Sequence, residues 1–132
     1  MAAERQPRGF IEFTPKSKVN AYQVNKPIFE YEQDRSPDFT GLSCDDGLYV
    51  LDRNAYMVAE LKNVDGQYIE SKGYSYKHTV KQPQYQYQNM QFGHAEGLVV
   101  KGNKIYVILD NNKNPRNVNP KNNNSLFLEL EK

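Results

Sequence analysis

Glu96 is the residue whose type and setting most favour chemistry. It lies between Gly93 and Gly97, just ahead of the apolar run Leu98-Val99-Val100. Flanking glycines let backbone or ligand approach closely. Where such a strand opens at the mouth of a closed β channel, the carboxylate points at the axis, a place for calcium, which takes about six to eight oxygens. Asp110, Asn111 and Asn112 follow the next apolar run, Ile105 to Leu109, and supply more oxygens. Glu96, Asp110 and Asn112 are therefore the candidate metal ligands, with calcium the expected ion. The alternatives are an ion pair with a nearby lysine, or a turn cap, for Glu96, and a plain turn for Asp110 to Asn112. His94 lies two residues before Glu96, and in a strand both side chains share a face. Such a pair can act as base and ligand on a bound water; a lone His beside Gly is also an ordinary loop residue. Arg53 follows Asp52. It reads as a salt-bridged strand end or, only where the ligand is a phosphate ester, as a bidentate holder of its oxygen. His94 and Arg53 are the catalytic candidates.

Other chemistries find little footing. Asp38 follows Pro37 and reads as a turn cap. Asp45-Asp46-Gly47 lacks the spacing of an EF-hand loop. There is no Gly-x-Ser-x-Gly elbow, phosphate-cradling glycine loop or His-x3-His pattern. Cys44 is the one cysteine, which excludes an internal disulfide and a Cys-based zinc finger. It falls in an expected strand and reads as a small buried residue.

The elements that must position these residues are strands. Short runs of β-formers, such as Leu48 to Leu51, Gly73 to Tyr76 and Ile105 to Leu109, are broken by Asp45-Asp46-Gly47, Asp65-Gly66 and Lys101-Gly102-Asn103. That punctuation predicts antiparallel strands joined by tight turns. Ala55 to Lys62 reads as a strand with Met57, Ala59 and Leu61 on one face; a helix this short is marginal alone. Segment 82–92 reads as an outer strand with Tyr85 and Tyr87 on one face, and His78 as continuing the face of Tyr74 and Tyr76. Phe10, Ile11 and Phe13 suit an edge strand, and the rest of the first thirty-odd residues reads as loose. Segment 111–124 holds eight asparagines among fourteen residues, with Pro115 and Pro120, and predicts an exposed loop. Asn123-Asn124-Ser125 is a glycosylation sequon, a pattern common by chance.

Two segments match each other. Thr40 to Asn54 and Glu96 to Asn112 each run Gly-Leu, strand, turn, apolar strand, Asp-x-Asn. Each is followed by an alternating strand: Met57, Ala59, Leu61 in the first and Leu126, Leu128, Leu130 in the second. Thr40 stands where Glu96 stands. A repeated four-stranded unit of this size predicts an all-β fold of antiparallel four-stranded sheets, a partial β-propeller. The division expected is an N-terminal extension or partial blade over 1–35 and blades over 36–132.

Ser36-Pro-Asp-Phe-Thr-Gly-Leu42, Gly47-Leu-Tyr-Val-Leu-Asp-Arg-Asn54, Phe92-Gly-His-Ala-Glu-Gly-Leu98 and Ile105 to Asn112 resemble the esterase-like phytase family of β-propellers. They are less similar to gluconolactonase-type propellers. The resemblance covers residues 36–132 in patches. It implies a propeller fold, a divalent metal, hydrolysis of phosphate or other esters, and a periplasmic or secreted setting. At roughly 40–50 residues per blade, 132 residues make about two blades plus a remainder. Such a chain cannot close a ring alone. Self-association or missing blades are expected, and a non-catalytic binding or assembly module is the alternative function.

Composition agrees with a modest polar domain. Apolar residues are 38% and charged residues 25%, and mean hydropathy is -0.85. No apolar run approaches a membrane span, and the first eight residues lack the apolar core of a secretory signal. A net charge of +1 argues against nucleic acid as partner. Residues 30–70 carry ten acids and three bases, whereas 71–124 carry two acids and eight bases. That split predicts either two solvated faces or a dipolar surface that meets another copy or a partner.

Overall fold

The computed structural model describes residues 8–13, 15, 19–25, 28, 37–90 and 94–132. In chain order these form β1 (Gly9–Phe13), β2 (Val19–Asn25), β3 (Phe39–Cys44), β4 (Leu48–Asp52), β5 (Met57–Val64) and β6 (Gln67–Ser75). A short helix α1 (Lys77–Val80) and a 3-10 turn (Pro83–Tyr85) follow, then β7 (Ala95–Lys101), β8 (Lys104–Leu109) and β9 (Leu126–Glu131). The fold is all-β, as expected. One sheet has six strands in the order β1-β2-β6-β5-β4-β3; the other has three, β7-β8-β9.

The expected pair of antiparallel four-stranded sheets is corrected on both counts. Strands β3 to β6 do form an antiparallel meander of four. Val24 and Asn25 then pair parallel with Tyr68 and Ile69, so β2 and β1 extend that sheet to six. Phe10, Ile11 and Phe13 lie in the edge strand expected of them, whereas Val19–Asn25, expected to be loose, forms β2. The second sheet stops at three strands. The six-stranded sheet curls until it is nearly closed: Phe10 and Val24 share a core with Phe39, Val50, Ala59 and Leu61. Arg8 lies over the Phe39 ring at 5.2 Å and links its two edges.

The two matching segments occupy separate sheets with matching registers. Each first hairpin carries a bulge at the same place, between Phe39 and Gly41 and between Ala95 and Gly97. With Gly41 equivalent to Gly97, the ladders align Tyr49 with Tyr106, Val50 with Val107 and Leu51 with Ile108. They also align Met57, Ala59 and Leu61 with Leu126, Leu128 and Leu130. The Asp of each segment is not equivalent, however. Asp52 aligns with Leu109 and Arg53 with Asp110, because four residues separate Val100 from Ile105 where three separate the equivalent Cys44 and Leu48.

The sheets stack in one sense. Tyr49, Leu51 and Val58 of the first sheet meet Leu98, Val107 and Leu128 of the second, together with Ile105 and Leu109. Val107 and Leu128 are the equivalents of Val50 and Ala59, which face the other core. One face of the second sheet therefore packs on the opposite face of the first. Strands β3 and β7 run side by side, and Gly41 permits this: a Cβ there would sit 2.9 Å from Leu98 Cβ. At the β5–β6 hairpin, Asp65 and Gly66 take φ of 52° and 82° in a two-residue turn, as the Asp-Gly pair predicts.

Three local expectations are corrected. Segment 82–90 is no outer strand: after the 3-10 turn only Tyr87 pairs, in an isolated bridge with Arg116. Pro83 denies a ladder its N–H, and the buried Tyr87 ring is anchored by its hydroxyl, which donates to the Asn124 carbonyl at 3.1 Å. Gln91 and Phe92 lie outside the described residues, as do Gly93 and Ser36. His78 belongs to α1 rather than to the Tyr74 and Tyr76 strand. Cys44 lies in a strand but is exposed, because it ends β3 beside the Asp45–Gly47 turn.

Candidate functional site

Glu96 occupies the bulge of β7, outside the ladder, as Thr40 does in β3. A bulged residue aims its side chain away from the regular alternation. Its carboxylate accepts a hydrogen bond from Arg53 Nη1, while Arg53 Nε donates to Asp38 Oδ2 at 2.7 Å. Arg53 leaves the end of β4, and its backbone N–H donates to the Asp38 carbonyl at 3.1 Å. Asp52 Oδ1 accepts from the Asp38 and Ala55 N–H groups, both at 3.3 Å, and fixes the corner. One guanidinium thus joins a nearly buried carboxylate of the first sheet to a half-exposed one of the second. The ion-pair reading of Glu96 finds its partner here, an arginine in place of the expected lysine.

His94 sits just before β7, in a cleft between the two repeats. The cleft measures about 550 Å³ and is lined by Arg53, Lys81, Tyr76, Tyr87 and Asn89 beside His94. Burial pushes the His94 pKa down, which favours the neutral ring. Its Nε2 lies 3.2 Å from the Met90 carbonyl, which can only accept, so Nε2 carries the proton and Nδ1 is left as an acceptor. The ring meets Tyr87 edge to face at 5.8 Å. Tyr76 is buried at the cleft wall, its ionisation strongly opposed by burial. Its hydroxyl has no hydrogen-bond partner among the described residues. Lys81 lies over the Tyr56 ring at 4.9 Å.

Asp110 and Asn112 stand apart from Glu96 in role. Asp110 donates its N–H to the His94 carbonyl at 2.6 Å, and its Oδ1 accepts from the Asn112 N–H at 3.2 Å. This closes a turn in which Asn112 and Lys113 have positive φ. Neither lines the cleft that holds Arg53 and His94. Among the described residues, no group of three or more His, Cys, Asp or Glu side chains is placed to hold a metal ion.

The seam between the repeats was invisible in the sequence. Thr40 Oγ1 donates to the Ala95 carbonyl at 2.8 Å, Ser43 Oγ accepts from Val100 N–H at 2.8 Å, and Asp45 Oδ2 accepts from Gly102 N–H at 2.8 Å. Lys132 reaches Asp46 at 2.8 Å and lies over the Tyr49 ring. Asn111, expected to supply oxygen beside Asp110 and Asn112, has a structural role instead. It is buried, and its Nδ2 donates to the carbonyls of Asn114 and Asn123, pinning the two ends of the Asn-rich segment. The available signal was difference: Ser43 is polar where the second repeat has Val99, and Thr40 is uncharged where it has Glu96.

Comparison of the chain with protein-family models, with curated proteins and with solved structures gives no match.

Proposed function

We propose that this chain is an assembly module, a two-repeat β unit built to be covered by a further sheet on the outer face of β7–β9. One observation carries this. Leu51 and Val58 are fully buried under the second sheet, while their equivalents Ile108 and Phe127 are 43% and 61% exposed. Val99, on the same outer face, is 52% exposed. Tyr106 and Phe127 stack at 5.3 Å and flatten that face into an aromatic platform. Burying such side chains stabilises by about 1.5–3 kcal/mol each when complete. The inter-repeat clamp supports the same reading, since Arg53 and Glu96 hold the existing stack together. The test is sedimentation of the chain beside Phe127→Glu. Association that the substitution abolishes, with the circular dichroism of the fold unchanged, is the expected result. A monomer at every concentration, indifferent to Phe127→Glu, overturns the reading.

A second reading rests on the cleft, where Arg53, His94 and Lys81 come together. The resemblance to esterase-like phytase propellers supports metal-assisted hydrolysis of a phosphate or other ester there. In it Arg53 would bind the phosphate oxygens and His94 would handle protons; calcium, with Glu96, a carboxylate bonded to Arg53, as ligand, would polarise the ester, whereas Asp110 and Asn112, the other expected ligands, do not line the cleft. Release of p-nitrophenol from its phosphate ester, calcium-dependent and lost in His94→Ala, is the expected result. No turnover with calcium, manganese or magnesium overturns it.

A further inference from the structure

The sheet that covers the outer face of β7–β9 is, we infer, the same face of a second copy, related by a two-fold axis running along β8. The inference rests on the assembly reading and names its partner.

A head-to-tail stack of copies is blocked. The first sheet would have to present the face of Val50, Ala59 and Leu61, but Phe10 and Val24 of β1 and β2 already cover it. The polar seam between the repeats is not offered again either. Thr40, Ser43 and Arg53 bind the second sheet, and their equivalents are Glu96, Val99 and Asp110. What remains is a largely apolar face capped at one end by charge.

The register shows how that face fits itself. Three rows cross the sheet: Gly97–Ile108–Phe127, Val99–Tyr106–Glu129 and Lys101–Lys104–Glu131. An axis along β8 keeps each row at its level and exchanges β7 with β9. Phe127 of one copy then faces Gly97 of the other, a knob over the one position in its row without a side chain. Lys101 faces Glu131, two charges of opposite sign. Ile108 meets its own equivalent at the axis. Two positions match less well, Lys104 opposite its own equivalent and Glu129 opposite Val99, and these two charges are already paired with each other within one copy. An isologous interface of this kind closes at two copies. The cover provided by β1 and β2 keeps the dimer from growing into a fibre.

Sedimentation with charge reversal tests this on the full chain. The wild type is expected to be a dimer. Lys101→Glu and Glu131→Lys should each shift the dimer toward monomer by about tenfold in dissociation constant, and the double variant should restore it. Gly97→Leu, which puts a side chain beside Ile108 where Phe127 of the other copy would sit, should weaken it as well. All three sites lie on the outer strand surface, and circular dichroism of each variant checks that the fold persists. Larger assemblies, or reversals that fail to rescue one another while Phe127→Glu still abolishes association, overturn the two-fold pairing and leave the assembly reading standing. A monomer at every concentration overturns both.

Discussion

Replacing Arg53 with methionine isolates the inter-repeat clamp, because it keeps the aliphatic stem and removes only the guanidinium. Arg53 and Asp38 have side chains only 14% and 7% exposed, so the substitution strands a nearly buried carboxylate. Breaking a buried pair by removing one partner costs about 3–5 kcal/mol, and the residual solvent access lowers that to roughly 2–4 kcal/mol. For 132 residues, 1 kcal/mol is worth about 3–4 °C in Tm, so the expected fall is roughly 6–16 °C. Glu96→Gln touches the half-exposed arm and should cost only about 0.2–1 kcal/mol. Asp38→Asn should cost much less in the Arg53→Met background than in the wild type, because the two share one interaction. Thermal unfolding of these four proteins, followed by circular dichroism, reads all three numbers. Calcium adds an arm to the same experiment. A cation held by Glu96 at a hundred times its dissociation constant adds about 2.7 kcal/mol, and Glu96→Gln removes that gain. The clamp reasoning is refuted if Arg53→Met melts within a degree of wild type, or if Glu96→Gln is the costlier change.

Two further predictions follow from close packing and from burial. Gly41→Ala drives a methyl to 2.9 Å from Leu98 Cβ and should destabilise by about 1–3 kcal/mol in denaturant titration. The His94 pKa is held below its unfolded value by burial, so the unfolded chain binds more protons as pH falls below about 6.5. Stability should be full above that pH and decline beneath it, and His94→Gln should flatten that part of the stability–pH profile measured by urea unfolding.

The repeat was the most legible feature, and for a physical reason. Side-chain alternation and turn chemistry are local, so Met57, Ala59 and Leu61 could be matched to Leu126, Leu128 and Leu130 and found equivalent in the ladders. Where the pattern was read one residue off, at Asp52 and Asp110, the cause was a longer turn that leaves no mark on hydrophobicity. The missing strand, β2, joins through two parallel pairs to residues more than forty positions away, a contact no local pattern encodes. Segment 82–90 misled because Gln and Tyr alternate there as in a strand, while Pro83 and the burial of Tyr87 are decided by packing against the Asn-rich segment. In the site, the bond between Arg53 and Glu96 was hidden for the same reason: the two are far apart in sequence and meet only because the sheets stack.

The bulge explains why the residue with the strongest chemical look became part of a seam. In each repeat it lifts one residue out of the ladder at the same level, Thr40 in β3 and Glu96 in β7. The Thr40 hydroxyl crosses forward to the Ala95 carbonyl, beside Glu96 itself. The Glu96 carboxylate reaches back to Arg53, and through it to Asp38 next to the first bulge. Both bulged residues therefore close on the same line between β3 and β7, from opposite sides. Glycine follows each of them, and at Gly41 the lost side chain is what brings β3 near enough to β7 for these bonds to form. The Gly-Leu pairs that marked the repeat thus carry two duties. In the first repeat the glycine makes room for the neighbouring sheet; in the second, Gly97 gives room to Ile108, whose Cβ would lie 3.3 Å from an added Cβ, on a face that none of the described residues covers.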